Sequence, residues 1–336
     1  IKSSSNDDSK IFQDEIICFQ NDTGLPIKLT LFKDGLKKMM INEDDESDEN
    51  NKEKNILDDD KPFRMINFNP NYDLKVEFLD KTVYFSIKDL CFPIFFEGLA
   101  VAFIVADIGV QTIHFSSPYV IKNELPYDIE VFIGNDTIGA INSGDQKPIP
   151  INSSSSLSDG IRAAMTPIKT EISPPVSILK YHSFTLLYKI IDNNTLRNLY
   201  TTIYVSVDPK KSISYITFLP NITFVNHLPA NVKMTILNDS DDFGYGGSKI
   251  EFNMKTGEEI DGSFIRTARS TITIKLNIEQ FGESDPTTIY PFDTTPVPFQ
   301  FIIRNDYIEI CKVAMMSIYS PEKMVFQIII FTPCVM

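Results

Sequence analysis

The sequence predicts an all-β chain built as a tandem array of three β-sandwich repeats, and three observations predict it. Apolar and polar residues alternate at period two in run after run. Long amphipathic helical patterns are scarce. One pattern of 15 residues returns three times at near-constant spacing.

Taken along the chain, the strand signals are regular. Val83, Phe85 and Ile87 alternate with polar neighbours, as do Ile272, Ile274, Leu276 and Ile278. Residues 201–207 (TTIYVSV) and 212–219 (SISYITFL) flank Asp208-Pro209-Lys210-Lys211, a good hairpin connection. These runs are rich in Ile, Val, Thr, Phe and Tyr, residues that suit a pleated, half-buried surface. Residues 90–106 (LCFPIFFEGLAVAFIVA) are 17 in number, short of the roughly 20 a membrane helix needs. They also contain Pro93, Glu97 and Gly98, so they read as two buried strands joined by a turn.

The repeat is carried by ICFQNDTGLPIKLTL (17–31), YVIKNELPYDIEVFI (119–133) and ITFVNHLPANVKMTI (222–236), which align without a gap. Each is centred on an asparagine, Asn21, Asn123 and Asn226, at spacings of 102 and 103 residues. Phe19, Ile121 and Phe224 stand two residues before it. Ile27/Leu29/Leu31, Ile129/Val131/Ile133 and Val232/Met234/Ile236 follow six, eight and ten residues after, and Pro26, Pro126 and Pro229 lie between. Phe115 with Pro118, Phe218 with Pro220 and Phe331 with Pro333 close the three units. The expected boundaries are residues 11–115, 116–218 and 219–336. Extrapolation puts a fourth asparagine three residues beyond Met336, as in a longer array. Each motif reads as a strand, a kink and a second strand with one buried face. Asparagine suits the kink because its amide both donates and accepts. Two roles are open to it: tying down its own loop, or presenting an amide to a partner's backbone in strand addition.

Composition narrows the function. The 336 residues (38.1 kDa) hold 31 basic and 45 acidic side chains, a formal net charge of −14 and a pI near 4.7. That balance excludes a general nucleic-acid binder and simple docking on anionic lipid. Residues 43–60 (EDDESDENNKEKNILDDD) carry ten acids and two lysines, so they account for −8 and the rest of the chain for −6. This run predicts a disordered insert in the first repeat. Residues 153–158 and 239–249 read as comparable surface excursions in the other two.

Signals of chemistry are sparse. Cys18, Cys91, Cys311 and Cys334 form no CxxC pair, and the N-terminal IKSSSNDDSK shows neither an apolar leader nor a Met, which suggests a piece of a cytosolic protein with reduced thiols. Six sequons, at Asn21, Asn135, Asn152, Asn193, Asn221 and Asn238, match chance in so Asn- and Ser-rich a chain. His114, His182 and His227 lack metal-ligand or triad context, and GYGGSK lacks the GxxxxGK[ST] spacing of a phosphate loop. No catalytic residue, metal or cofactor is therefore expected. Pro148-Ile149-Pro150 and Pro296-Val297-Pro298 are either partner segments or prolines that blunt sheet edges. A sugar- or lipid-binding sandwich would usually want exposed Trp or Tyr platforms, and Trp is absent, which makes this class the less favoured one.

Through QNDTGLPIKL, KNELPYDIEV and VNHLPANVKM the chain resembles the adaptor-binding domain of the vacuolar protein sorting 13 family of bridge-like lipid-transfer proteins. That domain is a string of related β-sandwich repeats, each marked by an asparagine near its start. The resemblance covers essentially the whole chain. It implies a non-catalytic cytosolic module that binds organelle-specific adaptor proteins through their Pro-x-Pro motifs, with membrane association indirect, at endosome, mitochondrion and vacuole contact sites. Neither nucleic acid nor a small-molecule substrate is implied. Asn21, Asn123 and Asn226 carry over as partner-binding positions. The alternative is that these repeats are structural spacers supporting an adaptor surface in later repeats.

Overall fold

The computed structural model describes residues 17–33, 36–38, 56–57, 63–65, 73–86, 94–96, 99–105, 111–166, 170–178, 183–192, 195–209, 213–237, 249–265, 271–279, 281–301 and 313–333. Within them the chain is all-β, with one four-residue α-helical turn, and its strands fall into six sheets. By contact it forms two compact units. One comprises residues 1–120, 148–154 and 207–214, and the other 121–147, 155–206 and 215–336.

In the first unit, one sheet runs Phe63–Met65, Ile17–Asp22, Gln111–Ser116, Leu99–Val105, Ile94–Phe96 across its width. The second runs Leu36–Lys38, Ile27–Lys33, Asp73–Phe78, Lys81–Ser86, with Ile56–Leu57 also paired to Ile27–Lys33. The first strand of the set pairs parallel with the last, Phe19 opposite Ile113 and Asn21 opposite Phe115. Parallel neighbours need a long crossover, and here everything between them serves as one. Phe19, Ile27, Leu29, Leu74, Val76, Ile113 and Phe115 are all buried, at two-residue spacing along their strands, which is the signature of sheets with one face turned inward.

The chain from residue 119 onward repeats this plan. Its five-stranded sheets run Gln146–Pro148, Tyr119–Asn123, Ile213–Pro220, Thr195–Asp208, Ser183–Asp192 and, later, Glu259–Asp261, Ile222–Asn226, Val325–Phe331, Val313–Ser320, Val297–Phe299. In the latter, Ile222–Asn226 pairs parallel with Val325–Phe331, Phe224 opposite Ile328 and Asn226 opposite Ile330. Companion sheets are centred on Ile129–Ile133 and Val232–Leu237, and Ile129, Val131, Ile133, Val232, Met234 and Ile236 are all buried. The same five-strand order thus occurs three times along the chain.

Several expectations are refined here. Residues 94–96 and 99–105 form a hairpin with Phe96 opposite Leu99, as the two-strand reading requires. The acidic run 43–60 is ordered at one place: Leu57 pairs with Ile27 and Ile56 with Lys28. Its two adjacent β-forming residues supply a ladder that the flanking charges obscure in sequence; residues 43–55 and 58–60 lie outside the described residues. Residues 153–158 are no loose excursion. Ile151–Ser154 makes an α-helical turn and Ser155–Asp159 a 3-10 turn, with Leu157 buried. Residues 239–248, with most of GYGGSK, are outside the described residues, as is His182. The sequons at Asn21 and Asn221 are buried, which closes both to a glycan in the folded chain.

Outer faces carry ion pairs, Lys233 and Lys249 both on Glu251 at 2.7 and 2.9 Å, and these two partners hold the Glu251 carboxyl down at about 2. Such exposed pairs add little to stability. Close packing matters more. A Cβ on Gly262 would stand 2.7 Å from Ile222 and 2.8 Å from Phe224. Gly262→Ala is expected to cost about 1–3 kcal/mol by overpacking, measured as a lower urea midpoint at unchanged m-value.

Candidate functional site

Asn123 and Asn226 end the lead strands Tyr119–Asn123 and Ile222–Asn226, and Asn21 is the last residue but one of Ile17–Asp22, just where the chain leaves one sheet for the other. At that corner the backbone loses its ladder partners, so its polar groups must be satisfied otherwise. The amide does this in the same way each time. Its oxygen accepts the backbone N–H two residues on: Thr23 at 3.1 Å, Leu125 at 3.1 Å and Leu228 at 3.0 Å. Its nitrogen donates to the carbonyl four residues on: Leu25 at 2.7 Å, Tyr127 at 2.7 Å and Ala230 at 2.9 Å. Pro26, Pro126 and Pro229 sit on the exposed shoulder of the corner, where no N–H is needed.

In the second unit the amide reaches further. Asn123 also donates to the Ile141 carbonyl at 3.0 Å, and Asn226 to those of Met254 and Lys255 at 3.3 and 3.0 Å. These carbonyls lie where the chain crosses back between sheets, through turns at residues 142–145 and 255–258. The turns clasp the asparagine backbone alike. Gly144 and Gly257 donate to the Asn123 and Asn226 carbonyls at 2.8 and 2.7 Å, while Asp145 and Glu258 accept from their N–H groups at 2.9 and 3.0 Å. Both glycines have positive φ, 82° and 75°. The paired signal Ser143-Gly144-Asp145 and Thr256-Gly257-Glu258 stands in the sequence, but 21 and 31 residues after the asparagines, so it does not align with the motif.

Asn21, Asn123 and Asn226 are each fully buried. Their amides are spent on their own chain, and no amide faces solvent for a partner to take. Any effect they have on recognition passes through the shape of the corner. His114, in contrast, was without context in the sequence, yet its Nε2 lies 2.5 Å from Asp22 Oδ2, brought there by the parallel pairing of their strands. His227 is exposed.

Next to the Asn123 corner, within the second unit, lies a groove of about 660 Å³. One wall is Glu124, Leu125 and Pro126 with Ser143 and Gly144. Its floor is the outer face of the last five-stranded sheet, including Ile318, Gln327, Glu259 and Asp261, and Lys323 stands at the rim. Asp261 Oδ1 accepts from the Ser263 N–H at 2.9 Å and hydroxyl at 2.5 Å. Burial raises the Asp261 pKa, outweighing the Ser263 bonds and the Tyr127 hydroxyl, which favour the charged form. Its Oδ2 is buried without a hydrogen bond.

Both Pro-x-Pro triplets lie at sheet edges. Pro148 ends the edge strand Gln146–Pro148, and Pro298 sits within Val297–Phe299, opposite Ala314. That matches the edge-blunting alternative. Among the described residues no group of His, Cys, Asp and Glu could hold a metal ion, and no helix is long and apolar enough to cross a membrane. The chain matches no protein-family model and no curated protein.

Asn123→Ala would strand the Leu125 N–H and the Tyr127 and Ile141 carbonyls. A loss of about 2–4 kcal/mol in urea unfolding is expected. Asp261→Asn keeps the Oδ1 acceptor and removes the buried charge. Because the folded carboxyl has a raised pKa, its penalty is present above that pKa and disappears as pH falls through it. The Asn variant is therefore expected to melt higher than wild type at pH 7, with the difference closing in the acid range.

Proposed function

We propose that the chain is a non-catalytic protein-interaction module that takes a Pro-x-Pro segment of an adaptor as an added strand, and so targets a larger lipid-transfer protein to organelle membranes and their contact sites. The observation that carries this reading is the edge strand Ser183–Asp192. All ten of its residues pair with Thr195–Tyr204, and the sheet order ends there. Tyr188, fully buried and accepting from Thr201 Oγ1 at 3.2 Å, anchors it to the core.

Which backbone groups face outward follows from two bonds. Glu171 N–H donates to the Lys189 carbonyl at 2.8 Å, so the Lys189 polar groups point away from the sheet. Tyr200 N–H donates to the Ser263 carbonyl at 2.6 Å, so Tyr200, opposite Leu187, also points away from its partner strand. Antiparallel ladders alternate at period two, so Thr185 and Leu187 face outward with Lys189. Unlike Gln146–Pro148 and Val297–Phe299, this edge holds no proline.

The chemistry of a Pro-x-Pro guest fits such an edge. Its two prolines lack N–H groups on one side, while the intervening residue directs its N–H and C=O to the other. Such a segment pairs once and then terminates the sheet. The spacer alternative draws support from the saturated asparagine amides.

Leu187→Pro removes an outward N–H but no ladder bond. It is expected to weaken a dye-labelled Pro-x-Pro adaptor peptide by about tenfold or more, with the melting temperature unchanged. Leu187→Ala is the control for the side chain. Wild-type chain that binds no such peptide would decide for the spacer reading.

A further inference from the structure

We infer that residues 170–176 form a strap that closes one end of the Ser183–Asp192 edge, and that Glu171 sets where an added strand must stop. This rests on the strand-addition reading and deepens it: the guest is a short segment paired along 183–187, and a longer strand gains nothing.

The strap is built to stay in place. It runs along the outer edge of Ile161–Met165, the last strand of its companion sheet. Two hydroxyls stand in for backbone groups there. Thr170 Oγ1 accepts from the Met165 N–H at 2.8 Å, and the buried Ser173 Oγ accepts from the Ala163 N–H at 3.0 Å. Ser173 N–H donates back to the Ala163 carbonyl at 2.8 Å, and Ile161 and Val176 exchange bonds of 2.9 and 3.0 Å. Pro174 and Pro175, both exposed, have no N–H to satisfy. Gly160 permits the close approach: its φ is +97°, and a Cβ there would stand 3.0 Å from the Val176 nitrogen and 3.1 Å from Pro175.

Glu171 lies between the Thr170 and Ser173 anchors, and its N–H turns the other way, to the Lys189 carbonyl at 2.8 Å. One residue of the chain thus already holds a place in the row that an added strand would fill. Residues two apart on a strand are about 7 Å apart, so the places opposite Leu187, Thr185 and Ser183 lie progressively further from Glu171. Among the described residues nothing else pairs with the outward groups of Thr185 and Leu187. A guest therefore finds rungs at Ser183, Thr185 and Leu187 and meets Glu171 at the next. A Pro-x-Pro segment matches this length. Residue x and the residues two before and two after it direct their polar groups to one side, and both prolines point away. A longer guest that displaced Glu171 would make one rung and break another, with no net hydrogen bond gained.

The test is residue-resolved amide hydrogen exchange on the full 336-residue chain, with and without saturating acetyl-Thr-Val-Pro-Ile-Pro-Val-Thr-amide. The peptide is expected to slow exchange at the Thr185 and Leu187 N–H groups by about tenfold or more, and to leave Lys189 unchanged. A second arm compares this peptide with one extended by Ala-Val at its N-terminus and Val-Ala at its C-terminus. Glu171→Pro frees the Lys189 carbonyl, and it should raise the affinity ratio of long to short peptide by about threefold over wild type. Exchange at Lys189 should then slow with the long peptide. Because each ratio is taken within one protein, a change in stability of the variant cancels, and the wild-type exchange pattern stands without it. Slowing at Lys189 equal to that at Leu187 in wild type, or a ratio that Glu171→Pro leaves unchanged, would overturn the strap as the stop. Absence of binding, or of slowing at both Thr185 and Leu187, would instead overturn strand addition at this edge, and the present inference with it.

Discussion

The fold depends on one side-chain amide used the same way at every corner. A sandwich has to carry its chain between sheets, and each crossing breaks two ladders at once. Asn123 and Asn226 sit where two crossings meet, one leading out of the lead strand and the other returning through the glycine turn. The amide must accept one N–H and donate to two or more carbonyls, and it must be short enough to act within its own loop. Ser lacks the second donor hydrogen, Asp lacks donors altogether, and Gln reaches one methylene too far. With the corner fixed, the register of both strands follows. Residues two before the asparagine and six, eight and ten after it face the core, because side-chain direction alternates strictly.

The edges complete the picture. Tandem sandwiches multiply sheet edges, and exposed edges invite uncontrolled pairing. Here the lead strand pairs parallel with the closing strand of its set, so neither is an edge. Two edges are short and carry proline, at Pro148 and Pro298. Ser183–Asp192 departs from this pattern: it is long, free of proline and anchored by a buried tyrosine. Its outward carbonyl at Lys189 is taken by the Glu171 N–H, so the stretch around Thr185 and Leu187 is the more informative part of that edge.

The sequence made the corners legible because their chemistry is local. The asparagine, its acceptor four residues on and its buried neighbours lie within one short window, repeated three times, so even an unmatched sequence exposes them by comparison with itself. The glycine turns at residues 142–145 and 255–258 were not visible, since intervening strands differ in length and move them out of alignment. The pairing of His114 with Asp22 arises only from parallel strands 92 residues apart in sequence. Ile56–Leu57 was hidden by the charges around it. The expectation that the asparagines themselves touch a partner rested on the residue type and on the family resemblance, neither of which shows burial; the structure buries all three amides.

Asn123 and Asp261 show how a polar group inside one protein reveals its purpose through its hydrogen bonds. Each is shielded from water at a sheet boundary, and each has a side-chain oxygen accepting a backbone N–H two residues away. Asn123 then uses its amide hydrogens within the chain, so its burial contributes stability and offers nothing to a ligand. Asp261 keeps one oxygen without a donor and carries a charge that burial opposes. Left alone, that arrangement costs stability relative to a neutral isostere, since a desolvated charge is repaid only by a partner. The saturated amide of Asn123 stabilises the corner, whereas the Asp261 carboxylate is a charge that the fold holds against its own burial.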